Sequence, residues 1–348
     1  MAETAAQETL AALVSQVTSL PRTQIRLSLR PPLSIQSNRL YDVWAGDRHL
    51  ILKEYLKEPE FEDAPRREYN ALQLLEPLDI APRPLYRQPP KPTLGPVVLY
   101  EYMEGHMWDR KRPSAHELGQ LAELWLQVNA LPTEDLWLSR GYERPLSDLL
   151  TRFHTVFCAY QDWTETTYPP ARRAAGLCLD LLEKCTPVVH ELEHSEPHLC
   201  LCRSDPRFAN VIARPDGRLG LVDWEDSGLR DPARDLADIL LHPNQEDLLE
   251  ETEWRAFTEP YAAGRSQTDP GMADRAHLYK LLFHAFWLVA LIRSGLERVK
   301  TDRLCGWHVH EMEANERLQR YLARGWAWPK TDLSNELGSL NKVAFFPT

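Results

Sequence analysis

Glycine is scarce in this chain, 15 among 348 residues, and the six cysteines include no C-x-x-C pair. The low glycine content excludes a collagen-like chain, and an apolar fraction of 43% excludes disorder. A chain of this length folds without disulfides, so the thiols read as reduced. Cys200 and Cys202, two apart on a strand-like run, share one face, and ordinary packing outweighs a metal reading there. His308 and His310 have the same spacing but no third ligand nearby, so no metal site is read there either. Also missing is a membrane-length apolar run: Leu281 to Ile292 is broken by His284 and is shorter than the ~18 residues a bilayer crossing needs, so no membrane partner is expected. The opening MAETAAQETL has no basic flank of the presequence kind, which gives a cytoplasmic expectation. Cations are in deficit too: the net charge of −11 argues against a nucleic-acid partner, which demands a basic footprint.

The length suits one large or two modest domains. After a short amphipathic helix at 4–18, strand-like alternation covers 24–29, 39–45 and 49–55, with Gly46 and Asp47 placed as a hairpin turn. A helical period spans 59–76, prolines crowd 77–96 and predict connecting loops, and GPVVLYEYMEG reads as a final strand and lobe junction. Beyond residue 114 the period is helical at 114–130, 145–159, 170–193, 245–263, 272–298 and 308–325. One strand-bearing island, 198–240, interrupts it. The expected fold is therefore α+β, with residues 1–104 as an antiparallel-sheet lobe and 105–348 as a mainly helical lobe.

The island holds the chemistry. In NVIARPDGRLGLVD two apolar runs flank Asp216-Gly217, a strong hairpin signal, and with those two as the turn residues Asn210 falls directly opposite Asp223. Two facing oxygen-bearing side chains suit one hard cation, and magnesium takes oxygen donors. Asp205, five residues before Asn210, sits where it can overhang the same spot. Asp231 and Asp235 in RDPARDLAD read as structural, with either able to brace that loop through backbone amides.

These residues, in SDPRFANVI, LVDWED and GLRDPARDLAD, resemble the aminoglycoside phosphotransferase and choline kinase group of small-molecule kinases, with a thinner match in the first lobe. The resemblance spans roughly residues 25–300 and implies a protein-kinase-like two-lobed fold with ATP or GTP between the lobes. It implies that Asp205 is the catalytic aspartate and that Asn210 and Asp223 are the Mg2+ ligands. It implies further that Lys53 of LILKEYL grips phosphate and pairs with Glu68 of REYNALQLL, and that Glu101 to Met103 form the hinge whose backbone meets adenine. Two departures stand out. Arg203 and Ser204 precede Asp205 where the group has a histidine two residues before it, and LSIQSNRLY, the expected phosphate-covering loop, has no glycine, leaving Ser34, Ser37 and Asn38 to donate.

The implied reaction is γ-phosphoryl transfer to a hydroxyl of a small-molecule acceptor. A nucleotide-binding pseudokinase scaffold without turnover is the alternative that the missing histidine and glycines favour. Residues 107–348 carry 37 acids against 28 bases, which suits a cationic acceptor such as an aminoglycoside or amino alcohol, although solubility explains such a balance as well. Glu250, Glu251 and Glu253, in a run with Glu246 and Asp247, read first as a solvated helix face. Trp254, Trp287, Trp307, Trp326 and Trp328 read first as core, with an aromatic cage as the second option.

Overall fold

Alternation governs the first third of the chain. In β2 (Asn38–Ala45) the residues Tyr41, Val43 and Ala45 are buried while their neighbours are not, as a strand with one covered face requires. With β1 (Ile25–Leu29), β3 (Arg48–Tyr55), β4 (Pro84–Gln88) and β5 (Val97–Glu101) it forms a five-stranded antiparallel sheet in the order β1-β2-β3-β5-β4. The computed structural model describes all residues except 1, 32–37, 57–62, 90–94, 110, 135–144, 165–168, 193–198, 246–247 and 301–348. Helix α1 (Ala2–Thr18) lays Leu10, Leu13 and Val14 on one sheet face against Val43, Leu50, Leu52 and Leu99. Leu10 and Val14 are fully buried and contribute on the order of 2 kcal/mol each. Helix α2 (Asp63–Leu75) covers the other face with Ala71, Leu72 and Leu75. The proline-rich stretch 77–96 is not all loop: β4 lies in it. Its Pro84 stands at the first strand position, where a missing N–H costs no ladder bond.

Past Gly105 the described residues are mainly helical. A two-residue strand β6 (His106–Met107) is followed by α3 (Ala115–Asn129), whose first turn is closed by a capping box between Ser114 and Glu117. Helices α4 (Pro145–Thr164), α5 (Pro169–Leu192) and, further on, α8 (Met272–Lys300) pack together, while α3 packs on α7 (Glu251–Arg265) through Trp125, Phe257 and Tyr261. The helical reading of 308–325 lies outside the described residues. Trp254 packs against Phe208 at a tilt and edge-on to Phe257 in this core. Among the described residues, no helix is long and apolar enough to cross a membrane.

Between α5 and α7 come β7 (Cys200–Cys202), β8 (Val211–Ala213), β9 (Leu219–Leu221), β10 (Gly228–Arg230) and α6 (Pro232–Leu241). The β8–β9 register differs from the sequence expectation by one residue: Val211 pairs with Leu221 and Ala213 with Leu219, so Asn210 lies opposite Val222 and not Asp223. Gly217 N–H bonds Arg214 C=O and Gly217 alone takes a left-handed φ of 81°, which makes a three-residue loop with glycine at its last position. At the rear the two lobes touch at this hairpin. Leu221 N–H donates to Ile80 C=O (2.7 Å), and Arg214 reaches the carbonyl of Asp79 (2.6 Å).

Candidate active site

Lys53 on β3 is 3% exposed, and an ammonium so buried needs anions. It has three: Glu68 Oε2 of α2 at 2.8 Å, Asp223 Oδ1 at 2.6 Å and Glu225 Oε2 at 3.1 Å. The Lys53–Glu68 pairing anticipated from the sequence is present, and two carboxylates of the second lobe join it. Burial pulls the Lys53 pKa down, but Asp223 and Glu68 outweigh it and hold the group protonated. Burial also pushes Glu68 and Glu225 upward, more than Lys53 draws them down. Asp223 goes the other way, its desolvation overcome by the charges of Lys53 and Arg207. The Tyr55 hydroxyl bonds Glu68 as well.

Asp205 lies in the loop between β7 and β8. Its Oδ2 receives Arg207 at 2.7 Å, and the same guanidinium nitrogen is 3.5 Å from Asp223 Oδ2, so one cation links the two aspartates. Its Oδ1 faces His242 Nε2 at 3.5 Å. Desolvation raises the Asp205 pKa, yet the His242 hydrogen bond and the Arg207 charge prevail and bring it to about 2. Asn210 is buried; its amide nitrogen donates to Asp205 C=O (3.4 Å), which turns its oxygen away from that carbonyl. Asp223 has a φ of 65°, a strained setting for a non-glycine residue, and so leaves the strand alternation that the hairpin argument assumed.

Asp235 accepts the backbone N–H groups of Arg203 (2.6 Å) and Ser204 (3.1 Å), the bracing role read from the sequence. Asp231 caps α6 through Ala233 N–H and meets Arg275 at 2.7 Å. Arg203 stands where the related motifs carry histidine. Its guanidinium donates to Val222 C=O at 2.6 Å and lies 4.7 Å from the Trp224 ring centroid, tying the loop to the segment that holds Asp223. Burial lowers its pKa to about 10, which leaves it cationic at neutral pH.

The remaining sequence candidates are placed less simply. Asn38 donates to Glu225 across the lobes (2.5 Å), while Ser34 and Ser37 lie outside the described residues. In the segment expected to be the hinge, the N–H groups of Glu101 and Tyr102 are engaged by the carbonyls of Arg83 and His49, and the Glu101 carboxylate meets Arg48 at 3.0 Å. Met103 lays its thioether over Gly220 of β9. A cavity of about 640 Å³ opens beside Asp79, Glu101, Met103 and Arg214; neither Lys53, Asp205 nor Asp223 lines it, so it is separate from the charged cluster. Arg207, Glu225, His242 and Gln245 escaped the sequence reading. Glu225 had a signal in its spacing of two from Asp223; the others carry no local signature.

A family model described as "Phosphotransferase enzyme family" matches residues 28–278. Among solved structures, the choline kinase of Cryptosporidium parvum is similar at a TM-score of 0.65 and 15% identity, covering 97% of this chain and 100% of that one. The choline kinase of Streptococcus pneumoniae gives 0.59 and 17%, with 92% and 99% covered. A spectinomycin phosphotransferase solved with ADP and spectinomycin gives 0.60 and 13%, with 93% and 98% covered. At these identities the likeness establishes the two-lobed, kinase-like fold.

Proposed function

The chain belongs to the phosphotransferase enzyme family, and from that premise we propose that it moves the γ-phosphoryl group of ATP, or GTP, to a hydroxyl of a small molecule. In this reading residues 1–104 form the nucleotide lobe and 105–348 carry the catalytic loop and the acceptor pocket. The observation that carries it is the meeting of three elements on Asp223: Lys53 from the sheet lobe, Arg207 from the Asp205 loop, and the β9 end itself. Three carboxylates around one ammonium leave excess negative charge, and their oxygens lie within 4.8 Å of one another. An all-oxygen set with that charge fits a hard divalent cation. Asn210 and Asp223 would hold Mg2+, with Glu225 at hand; when bound, the ion neutralises charge on the transferring phosphates.

Lys53, fixed between Glu68 and Asp223, presents its ammonium to phosphate oxygens. The Met103 N–H and the hinge carbonyls remain to meet a base, since Glu101 and Tyr102 have their N–H groups engaged. Asp205, ionised throughout the physiological range, accepts the hydrogen bond of the acceptor hydroxyl, orients it, and takes its proton as the new P–O bond forms. A cationic acceptor suits the acidic surroundings of Asp205, where Asp226 and Asp238 also lie within electrostatic reach. Similar structures named for choline and spectinomycin support that class.

Screening sugars, amino alcohols and aminoglycosides for ADP release tests the reading. With a productive acceptor, Asp205→Ala lowers turnover by about a hundredfold to ten-thousandfold while nucleotide affinity changes little. Undiminished turnover in that variant would remove Asp205 from the mechanism. Nucleotide binding with no ADP release from any acceptor would leave the scaffold alternative.

A further inference from the structure

The loop 203–208 is fastened from one side by a single short segment, residues 235–245. Asp235 takes the N–H groups of Arg203 and Ser204. Gln245, fully buried, donates to Pro206 C=O at 3.1 Å and accepts from Phe208 N–H at 3.2 Å. Between them, at the C-terminal end of α6, His242 faces the one side chain of that loop assigned to chemistry, Asp205.

The imidazole is not free to choose its state. Asn244 N–H donates to His242 Nδ1 at 3.2 Å, so Nδ1 must be the lone-pair nitrogen and the proton sits on Nε2, the atom 3.5 Å from Asp205 Oδ1. The ring is 4% exposed and its orientation is fixed by Trp287, whose indole packs edge-on with centroids 4.7 Å apart and whose N–H is anchored on Asp238 at 3.0 Å. A neutral donor held in this way does not compete with a cation for the carboxylate's charge, but it restricts rotation of the carboxylate about its Cβ–Cγ bond.

We propose that His242 is a positioning residue for phosphoryl transfer: its Nε2–H holds Oδ1 of Asp205 so that the carboxylate keeps the orientation needed to receive the acceptor hydroxyl. The assignment rests on the phosphotransferase reading above. The 3.5 Å between Nε2 and Oδ1 is at the outer edge of hydrogen-bond range, and such contacts commonly tighten when substrate arrives.

The test uses the full chain with an acceptor whose turnover is lost in Asp205→Ala. His242→Leu is expected to lower kcat by about tenfold to a hundredfold, the effect of loosening a reacting group by a fraction of an ångström to an ångström, with KM for ATP within about twofold. His242→Gln places an amide N–H near the Nε2 position and is expected to regain most of kcat. Nitrogen-15 spectra of the histidines in the wild type are expected to show His242 protonated at Nε2 alone, with a shift on Asp205→Asn. A normal kcat in His242→Leu, an equal loss in the Leu and Gln variants, or a wild-type ring protonated at Nδ1 would overturn the assignment. Should the Leu variant fail to fold, the Gln variant and the wild-type spectra decide. Turnover retained in Asp205→Ala would instead sink the phosphotransferase reading, and the positioning role with it.

Discussion

Asp238 lies one helical turn before His242, fully inside the protein, and burial raises its pKa to about 6 against the partial relief given by Arg234 and the Trp287 hydrogen bond. The folded chain therefore binds this proton more tightly than the unfolded chain. The stabilisation is complete below the ordinary carboxylate range and is lost as pH rises through about 6. At about 1.4 kcal/mol per pKa unit the full effect is roughly 3 kcal/mol. Asp238→Asn keeps an acceptor for Trp287 and removes the titration, so urea unfolding is expected to show the variant matching the wild type near pH 4 and exceeding it near pH 8. Equal pH dependence in the two proteins would contradict the account. At this scale the sequence could single out Lys53, Glu68, Asp205, Asn210 and Asp223 as candidates, because their order along the chain is itself a pattern. It could not expose Arg207 or His242, whose roles exist only once β9 and α6 return to the loop.

Elements were legible where periodicity was clean. The strands β1 to β3 and helices α2 to α5 fall within a few residues of expectation, whereas β4 hid among prolines and β10 is only three residues long. The hairpin shows a subtler failure. Asp-Gly serves both a two-residue turn, which needs positive φ at both residues, and a three-residue loop, which needs it only at glycine; here Asp216 stays out of the left-handed region. The one-residue difference matters beside Met103, which lies against Gly220 of β9. A Cβ on Gly220 would stand 2.1 Å from Met103 Sδ, so Gly220→Ala must push that flexible side chain aside. Fold stability is expected to change little and KM for ATP to rise several-fold with kcat nearly constant. An unchanged KM would show that Met103 does not border the base.

For the whole molecule the charged cluster joins both lobes, and under the proposed function it would take a divalent cation with the nucleotide, so that binding would add to stability. At 100 times its dissociation constant, ATP with Mg2+ is expected to add about 2.7 kcal/mol. Chelation of the metal, or Asp223→Asn, is expected to abolish most of that gain in thermal melts, and a gain indifferent to EDTA would argue against an ion held by Asn210 and Asp223. The two-lobed architecture could be read from the change of periodicity along the chain, from strand-like to helical, but not the contacts that fix one lobe on the other.

One of those contacts has a mechanical meaning. Because Ile80 and Asp79 are bonded to Leu221 and Arg214, the sheet lobe is pinned to its neighbour at the back. In a rigid rotation a point travels in proportion to its distance from the pivot. Tilting of the sheet about residues 79–80 would then barely disturb the Ile80–Leu221 bond, while Asn38 and Lys53, away from that pivot, would be drawn off Glu225 and Asp223.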